Sequence, residues 1–179
     1  MTDHAPLLER VFGIESVEGA FQPTLEGEVP AALRGTYYLN GPAVFRRGAL
    51  SYHHWLDGDG LITAIRLADG AARVRHRYVG STKHREEMEL GLPVYRTFGT
   101  AFEGDRLRRG ASLESPVNVS AYRWADVLLA FGEQGLPWAL DPETLETHEE
   151  HRFGGRLNAF SPPSAHPAFD RDRGEMLNF

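Results

Sequence analysis

Leu61-Ile62-Thr63-Ala64-Ile65-Arg66-Leu67, then Ala68-Asp69-Gly70-Ala71, then Arg73-Val74-Arg75-His76-Arg77-Tyr78-Val79 is the stretch that decides the fold. Two runs rich in β-branched and apolar residues flank an Asp-Gly pair, the strongest short hairpin signal. The same texture continues on both sides. Upstream, Thr36-Tyr37-Tyr38-Leu39 reads as a strand ended by a turn at Asn40-Gly41-Pro42. Downstream, Lys83–Leu90 carries Glu86, Glu87, Met88 and Glu89, so one short helix is expected there, closed by Gly91 and Pro93. Strands then resume at Val117–Tyr122, Val127–Phe131 and Leu136–Leu140. Asp141-Pro142-Glu143-Thr144 makes a turn with proline at its second position. Thr147–Phe153, Arg156–Phe160 and Glu175–Phe179 complete the expected strands.

Short strands separated by turns at close spacing mean an all-β sandwich, barrel or propeller. A strand, an acidic turn and a second strand recur around Asp69-Gly70, Asp141-Pro142 and Asp172-Arg173-Gly174, which suits propeller blades. Residues 1–22 read as an irregular lead-in, with a short helix at Leu7–Phe12, and residues 23–179 as one β domain.

The chain has 179 residues, 41% hydrophobic and 25% charged, ordinary values for a globular domain with a real core. Its net charge of −6 argues against a broad nucleic-acid footprint. Lys83 is the only lysine among 19 basic residues. Cysteine is absent, which excludes disulfides, thiolate zinc sites and Fe–S clusters within the chain. A metal must therefore use His, carboxylates or carbonyls, a donor set for iron, manganese or zinc. The longest clean apolar run, Val127–Phe131, is far short of the ~20 residues of a spanning helix. Met1-Thr2-Asp3-His4 opens no basic region followed by an apolar core. A cytoplasmic protein is expected, with room for peripheral membrane contact through an apolar loop.

His54-Trp55-Leu56-Asp57-Gly58-Asp59-Gly60 begins like a calcium loop, but the twelfth position from Asp57 is Ala68, which carries no carboxylate. The favoured reading is a tight turn in which Asp side chains bond the backbone and Gly58 and Gly60 take positive φ. His166 is a candidate metal ligand. Pro162, Pro163 and Pro167 stiffen the backbone around it, and the competing reading is a packed or surface histidine. Glu133 follows an apolar strand directly. It reads either as a carboxylate paired to a ligating histidine or as a solvated hairpin tip between Gly132 and Gly135. His148 and His151 lie three apart on a strand, so they should face opposite sides. His53, His76 and His84 carry no assignment. Arg106, Arg108, Arg109 and Arg123 read as a solvated face.

Together these segments resemble the carotenoid cleavage oxygenase family. Leu33–Pro42 is similar to that family's opening "L-x-G-x-x-x-R-N-G-P". Tyr52–Ile62 is similar to "Y-H-W-F-D-G-D-G-M-I", Leu128–Thr147 to the stretch built on "L-L-A-L-x-E-x-G-x-P", and Ser164-Ala165-His166-Pro167 to "T-A-H-P". The resemblance implies a seven-bladed β-propeller, of which this chain carries about the first blades. It implies iron(II) held by four histidines, three of them supported by glutamates. His166 matches the first ligand. Glu133 matches the first glutamate, which in the family supports a different histidine from a later blade. The implied reaction is cleavage by O₂ of a C=C bond in an apolar polyene, a carotenoid or apocarotenoid, into two carbonyls. The sequence departs from the pattern at Leu39, Leu56 and Thr63, and reads Pro116-Val117-Asn118 where the family has Asn-Thr-Asn. His84 stands where lignostilbene enzymes carry a phenol-binding Tyr, which favours carotenoid over stilbene substrates. Because the remaining ligands are not in the chain, it is expected to be an N-terminal piece, inactive alone. The competing reading is a non-catalytic binding or assembly module derived from a propeller.

Overall fold

The structure, a computed structural model, describes residues 17–108, 110 and 112–179. The helix expected at Leu7–Phe12, Arg109 and most of the lead-in lie outside these residues. The described chain is almost entirely strand and loop, with one α-helix, so the all-β expectation holds. No described helix is long and apolar enough to cross a membrane.

The first sheet has four antiparallel strands: β1 (Gly19–Phe21), β2 (Gly35–Ala43), β5 (Asp59–Ala68) and β6 (Ala71–Tyr78), in the order β1-β6-β5-β2. β1 lies inside the stretch read as an irregular lead-in, and it pairs with β6 through Gly19–His76 and Phe21–Val74. The Asp69-Gly70 hairpin forms as expected. Both residues have positive φ, 53° and 76°, the backbone that a two-residue turn of this hand needs. The turn expected at Asn40-Gly41-Pro42 does not form. β2 runs straight through it, with Pro42 opposite Gly60. Proline is tolerated because β2 is an edge strand, and because Gly60 sends its own N–H to Pro116 and its carbonyl to Val79, away from Pro42.

The second sheet repeats the pattern with β7 (Ser120–Trp124), β8 (Val127–Phe131), β9 (Trp138–Leu140) and β10 (Thr147–Glu150), in simple up-and-down order. Asp141 Oδ1 accepts from the amides of Glu143 and Thr144 at 2.9 and 2.6 Å and closes the expected turn. Two short hairpins complete the strand set: β3 (Arg46–Arg47) with β4 (Leu50–Ser51), and β11 (Ala168–Asp170) with β12 (Glu175–Leu177). The strand expected at Arg156–Phe160 is a loop with one bridge, Asn158 to Ser161. The core joins the two large sheets: Ile62, Ala64 and Val79 pack against Leu128, Ala130, Trp138, Leu140 and Leu145.

The helix α1 (Thr82–Leu90) starts at Ser81, whose hydroxyl accepts from the His84 amide. It ends at Gly91 in the left-handed conformation (φ 66°). A buried ionic cluster fastens it. Lys83 Nζ lies 2.6 Å from Asp59 Oδ1 and 2.9 Å from Glu87 Oε2. Arg47 bridges the same two carboxylates. Tyr52 donates to Glu87 at 2.7 Å, and His84 Nδ1 donates to Asp59 at 2.8 Å. Burial works to raise the Asp59 carboxyl, but Lys83, the His84 hydrogen bond and Arg47 outweigh it and hold it well below the usual range. Lys83 is likewise held above its usual range, because Asp59, Tyr52 and Glu87 outweigh its burial.

The Asp57–Gly60 segment is therefore not the turn expected of it. Gly58 has φ −66°, and neither Gly58 nor Gly60 has positive φ. They are glycines because of close approach: a Cβ on Gly60 would lie 2.0 Å from the Val117 carbonyl oxygen, and one on Gly58 2.7 Å from that of Ala43. The Asp57 carboxylate does bond backbone, accepting from His54 at 3.2 Å and Gly99 at 2.9 Å, as well as from the Thr100 hydroxyl at 2.6 Å.

Candidate functional site

β8 ends at Phe131, and Gly132-Glu133-Gln134-Gly135 turns toward β9. At Gly132 a Cβ would stand 2.2 Å from the Ser115 hydroxyl oxygen and 3.1 Å from the Val117 backbone, so the 115–117 segment packs tightly over this glycine. Val117, fully buried, sits beside this contact with φ +57°, a strained conformation for a β-branched residue that costs about 1–3 kcal/mol. Asn40 Nδ2 holds it by donating to its carbonyl at 2.9 Å. The result is a rigid floor from which Glu133 projects. Its side chain is 42% exposed, as a hairpin-tip carboxylate between Gly132 and Gly135 would be.

His166 reaches the same point from the 161–167 segment. Pro163, Ala165 and Pro167 are buried while Ser164 and His166 are not, the period-two alternation of extended chain. Ala165 packs into the cluster of Leu129, Phe131 and Ala139, which turns His166 outward. The His166 side chain is 64% exposed, and its Nε2 lies 2.9 Å from Glu133 Oε1. The chain thus joins the two residues singled out in the sequence, thirty-three positions apart. The resemblance pairs Glu133 with a histidine of a later blade; here its carboxylate meets His166. Among the described residues no group of three or more His or carboxylate side chains converges to hold a metal. His166 fits as one imidazole donor on an open face, with a carboxylate at hand to orient its ring. It is one donor, and no coordination sphere closes around it here.

A cleft of about 360 Å³ lies beside Glu133, walled by Leu113, Ala159, Phe160 and Pro162 with Gln134 and Arg108 at its polar side. Phe160 is 74% exposed there. Arg108 is not on a solvated face: its side chain is 11% exposed and pairs with both Glu114 and Glu150. His151 lies just beyond β10, so strand alternation does not extend from His148 to it. The register shifts in β10 between Thr147 and Glu150, and both residues belong to the wall of one open cavity with Arg85, Arg152 and Phe153. Burial lowers the His151 ring below its ordinary value, with Glu149 opposing. His84 stacks on Tyr78 at 4.8 Å and is committed to Asp59, so it is part of the scaffold. The sequence reading passed over Ser120 and Asn178. Their hydrogen bonds to the backbone around His166 depend on contacts across the fold, and no local pattern announces them.

The family model described as RPE65, retinal pigment epithelial membrane protein, matches residues 14–179. The apocarotenoid-15,15'-oxygenase of a Synechocystis species is 35% identical over 150 residues, covering 82% of this chain and 31% of that protein. The crystal structure of a lignostilbene dioxygenase from Pseudomonas brassicacearum superposes with a TM-score of 0.80 at 31% identity, covering 92% of this chain and 34% of that one. A cobalt-substituted Synechocystis apocarotenoid oxygenase superposes at 0.78 with 31% identity over 91% of this chain and 35% of its own. The chain spans about a third of the length of the relatives it matches. The two four-stranded sheets are thus a part of the propeller seen in these oxygenases.

Proposed function

The chain belongs to the RPE65, or carotenoid cleavage oxygenase, family, and from that premise we propose that it supplies one ligand, His166, and one orienting carboxylate, Glu133, to a non-haem iron(II) dioxygenase. The reaction adds both atoms of O₂ across one C=C bond of a carotenoid or apocarotenoid, breaking it into two carbonyl compounds. Bound iron(II) supplies the electron-transfer chemistry that this reaction of O₂ needs. The residues of this chain do the rest of what is assigned here. His166 offers a neutral imidazole, which leaves the metal its full positive charge. Glu133 fixes a ring and raises its basicity. The two side chains are exposed enough to part, so that Nε2 can turn to a metal and Glu133 to the other histidine that the resemblance gives it. Leu113, Phe160 and Pro162 offer an apolar wall beside Glu133 against which a polyene is shielded from water. The protein is placed in the cytoplasm, with peripheral contact to a bilayer that holds such substrates.

The observation that carries this reading is the 2.9 Å contact of Glu133 with His166, between two residues that sequence motifs had marked separately. Its test is iron content and O₂ uptake with an apocarotenal, measured on the protein made with whatever coding sequence is continuous with this chain. Iron should be retained and substrate cleaved, and His166→Ala should abolish both. A stable, monodisperse protein without iron or O₂ uptake would support the binding or assembly module in its place. A second substrate reading, a hydroxystilbene, is favoured by the likeness to a lignostilbene dioxygenase, and the same assay separates it.

A further inference from the structure

The His166 ring is largely exposed and among the described residues has one side-chain partner, Glu133, so its position depends on the backbone beneath it. That backbone has no strand ladder: the Ser164 amide reaches the Phe179 carbonyl at 3.3 Å, and side chains supply the other bonds. Ser120, the first residue of β7, donates its hydroxyl to the Ala165 carbonyl at 2.5 Å. Asn178, just beyond β12, grips the neighbouring peptide group on both sides. Its Oδ1 accepts from the Ser164 amide and its Nδ2 donates to the Ser164 carbonyl, each at 2.8 Å. The Ser164 hydroxyl then accepts from the His166 amide at 3.2 Å. Ser164, Ala165 and His166 are therefore clamped from two separate sheets, with the Ala165 methyl fully buried between them.

We infer that Ser120 and Asn178 are positioning residues for His166, an inference that rests on His166 being a metal donor. The clasp is one of two attachments of the β11–β12 hairpin, the other being Phe169 on Tyr122 and Trp124, but it is the one that falls on the backbone adjoining the histidine. The clamp instead fixes the peptide units on which the direction of the ring depends. A ligand held this way keeps its geometry before metal arrives, so less ordering is lost on binding.

The test uses the isotope-labelled chain and Co²⁺ as probe. Paramagnetic shifts at the His166 ring report its own metal contact separately from other exposed histidines, and thermal unfolding is followed in parallel. The native chain should show saturable shifts centred on His166, and His166→Ala should remove them. Ser120→Ala and Asn178→Ala should each weaken that apparent affinity about tenfold, the low end for outer-layer partners of a metal ligand, while the folded fraction at the assay temperature stays full. Ser120→Thr, which keeps the hydroxyl, should restore it. If His166→Ala leaves the Co²⁺ response unchanged, the metal reading itself fails and the inference falls with it. If His166→Ala removes the response but Ser120→Ala and Asn178→Ala do not weaken it, the clamp is not positional and the metal reading stands. A loss of affinity that merely follows a loss of folded protein also overturns the inference, and Asn178→Asp, which retains the acceptor, guards against a variant that fails to fold.

Discussion

At the scale of single residues, Glu114 is the group most at odds with its surroundings. It is fully buried, and Arg108 Nε stands 3.2 Å from Oε2 without pointing at it. Neither carboxyl oxygen accepts a hydrogen bond among the described residues. Burial pushes this carboxyl up to about 7; Arg108 and Lys83 oppose the rise, and Glu150 and Glu86 add to it. The folded-state value lies above the ordinary 4.5. Its contribution to stability is therefore complete below 4.5 and is lost as pH rises through about 7. Glu114→Gln cannot ionise, so it should gain on the native chain as pH rises. Urea midpoints at pH 5 and pH 8 check this: the gap between variant and native chain should widen at pH 8, and parallel pH profiles would sink the assignment. His151, lowered by burial, works in the opposite sense below its ordinary 6.5, which is why the comparison is with the variant and not with pH alone. Lys83 poses the converse case. Lys83→Met leaves Asp59 and Glu87 short of one cation in a dry site, and removal of one partner from a buried pair costs about 3–5 kcal/mol. Chemical denaturation should show a loss of that order, well above the ~0.5 kcal/mol of an ordinary surface change.

At the scale of elements, the junction of β5 with the 115–117 segment is the tightest approach at any described glycine. Gly60→Ala would drive a methyl into the Val117 carbonyl 2.0 Å away, and backbone cannot yield as a side chain does. Overpacking of this kind costs about 3 kcal/mol or more, so the variant should unfold at clearly lower urea than Gly70→Ala, whose Cβ meets nothing within 4 Å and which suffers only the positive φ. The same contrast explains what could be read from the chain. The Asp69-Gly70 hairpin, the helix over Lys83–Leu90 closed by Gly91, and the Val127–Phe131 strand are written in neighbouring residues, and the sequence analysis found them; the start of α1 at Ser81 it did not. The role of Gly60 is written in a carbonyl 57 positions away, and the passage of β2 through Pro42 in the bonds that Gly60 makes elsewhere. Local chemistry read both as turns. The ionic cluster was missed for the same reason: Lys83 and Asp59 are ordinary surface residues until the fold brings them within 2.6 Å. The site was half legible. His166 and Glu133 stood out through their motifs, whereas Ser120 and Asn178, which hold the histidine's backbone, carry no pattern of their own.

At the scale of the whole molecule, the two large sheets should act as one cooperative unit and the β11–β12 hairpin as a weaker appendage. β5 and β8 each have partners on both sides, and their side chains share one core across the sheets. β11 and β12 form only a two-stranded sheet, with no residue of either strand fully buried and Leu177 57% exposed. Such a pair is marginal in water without outside support. Its support is the stacking of Phe169 on Tyr122 and Trp124 at 5.2 and 5.8 Å and the Asn178–Ser164 clasp. Local opening follows the number of such attachments. Native-state hydrogen exchange should therefore release the amides of β11 and β12 well before those of β5 and β8, which should exchange only with global unfolding. Asn178→Ala should quicken exchange in β11 and β12 further while leaving β5 and β8 unmoved, because the clasp joins the hairpin to the His166 segment and touches neither core strand. Equal protection of β12 and β8 would mean that the hairpin belongs to the main cooperative unit, and that the backbone under His166 is held by the whole core rather than by two side chains.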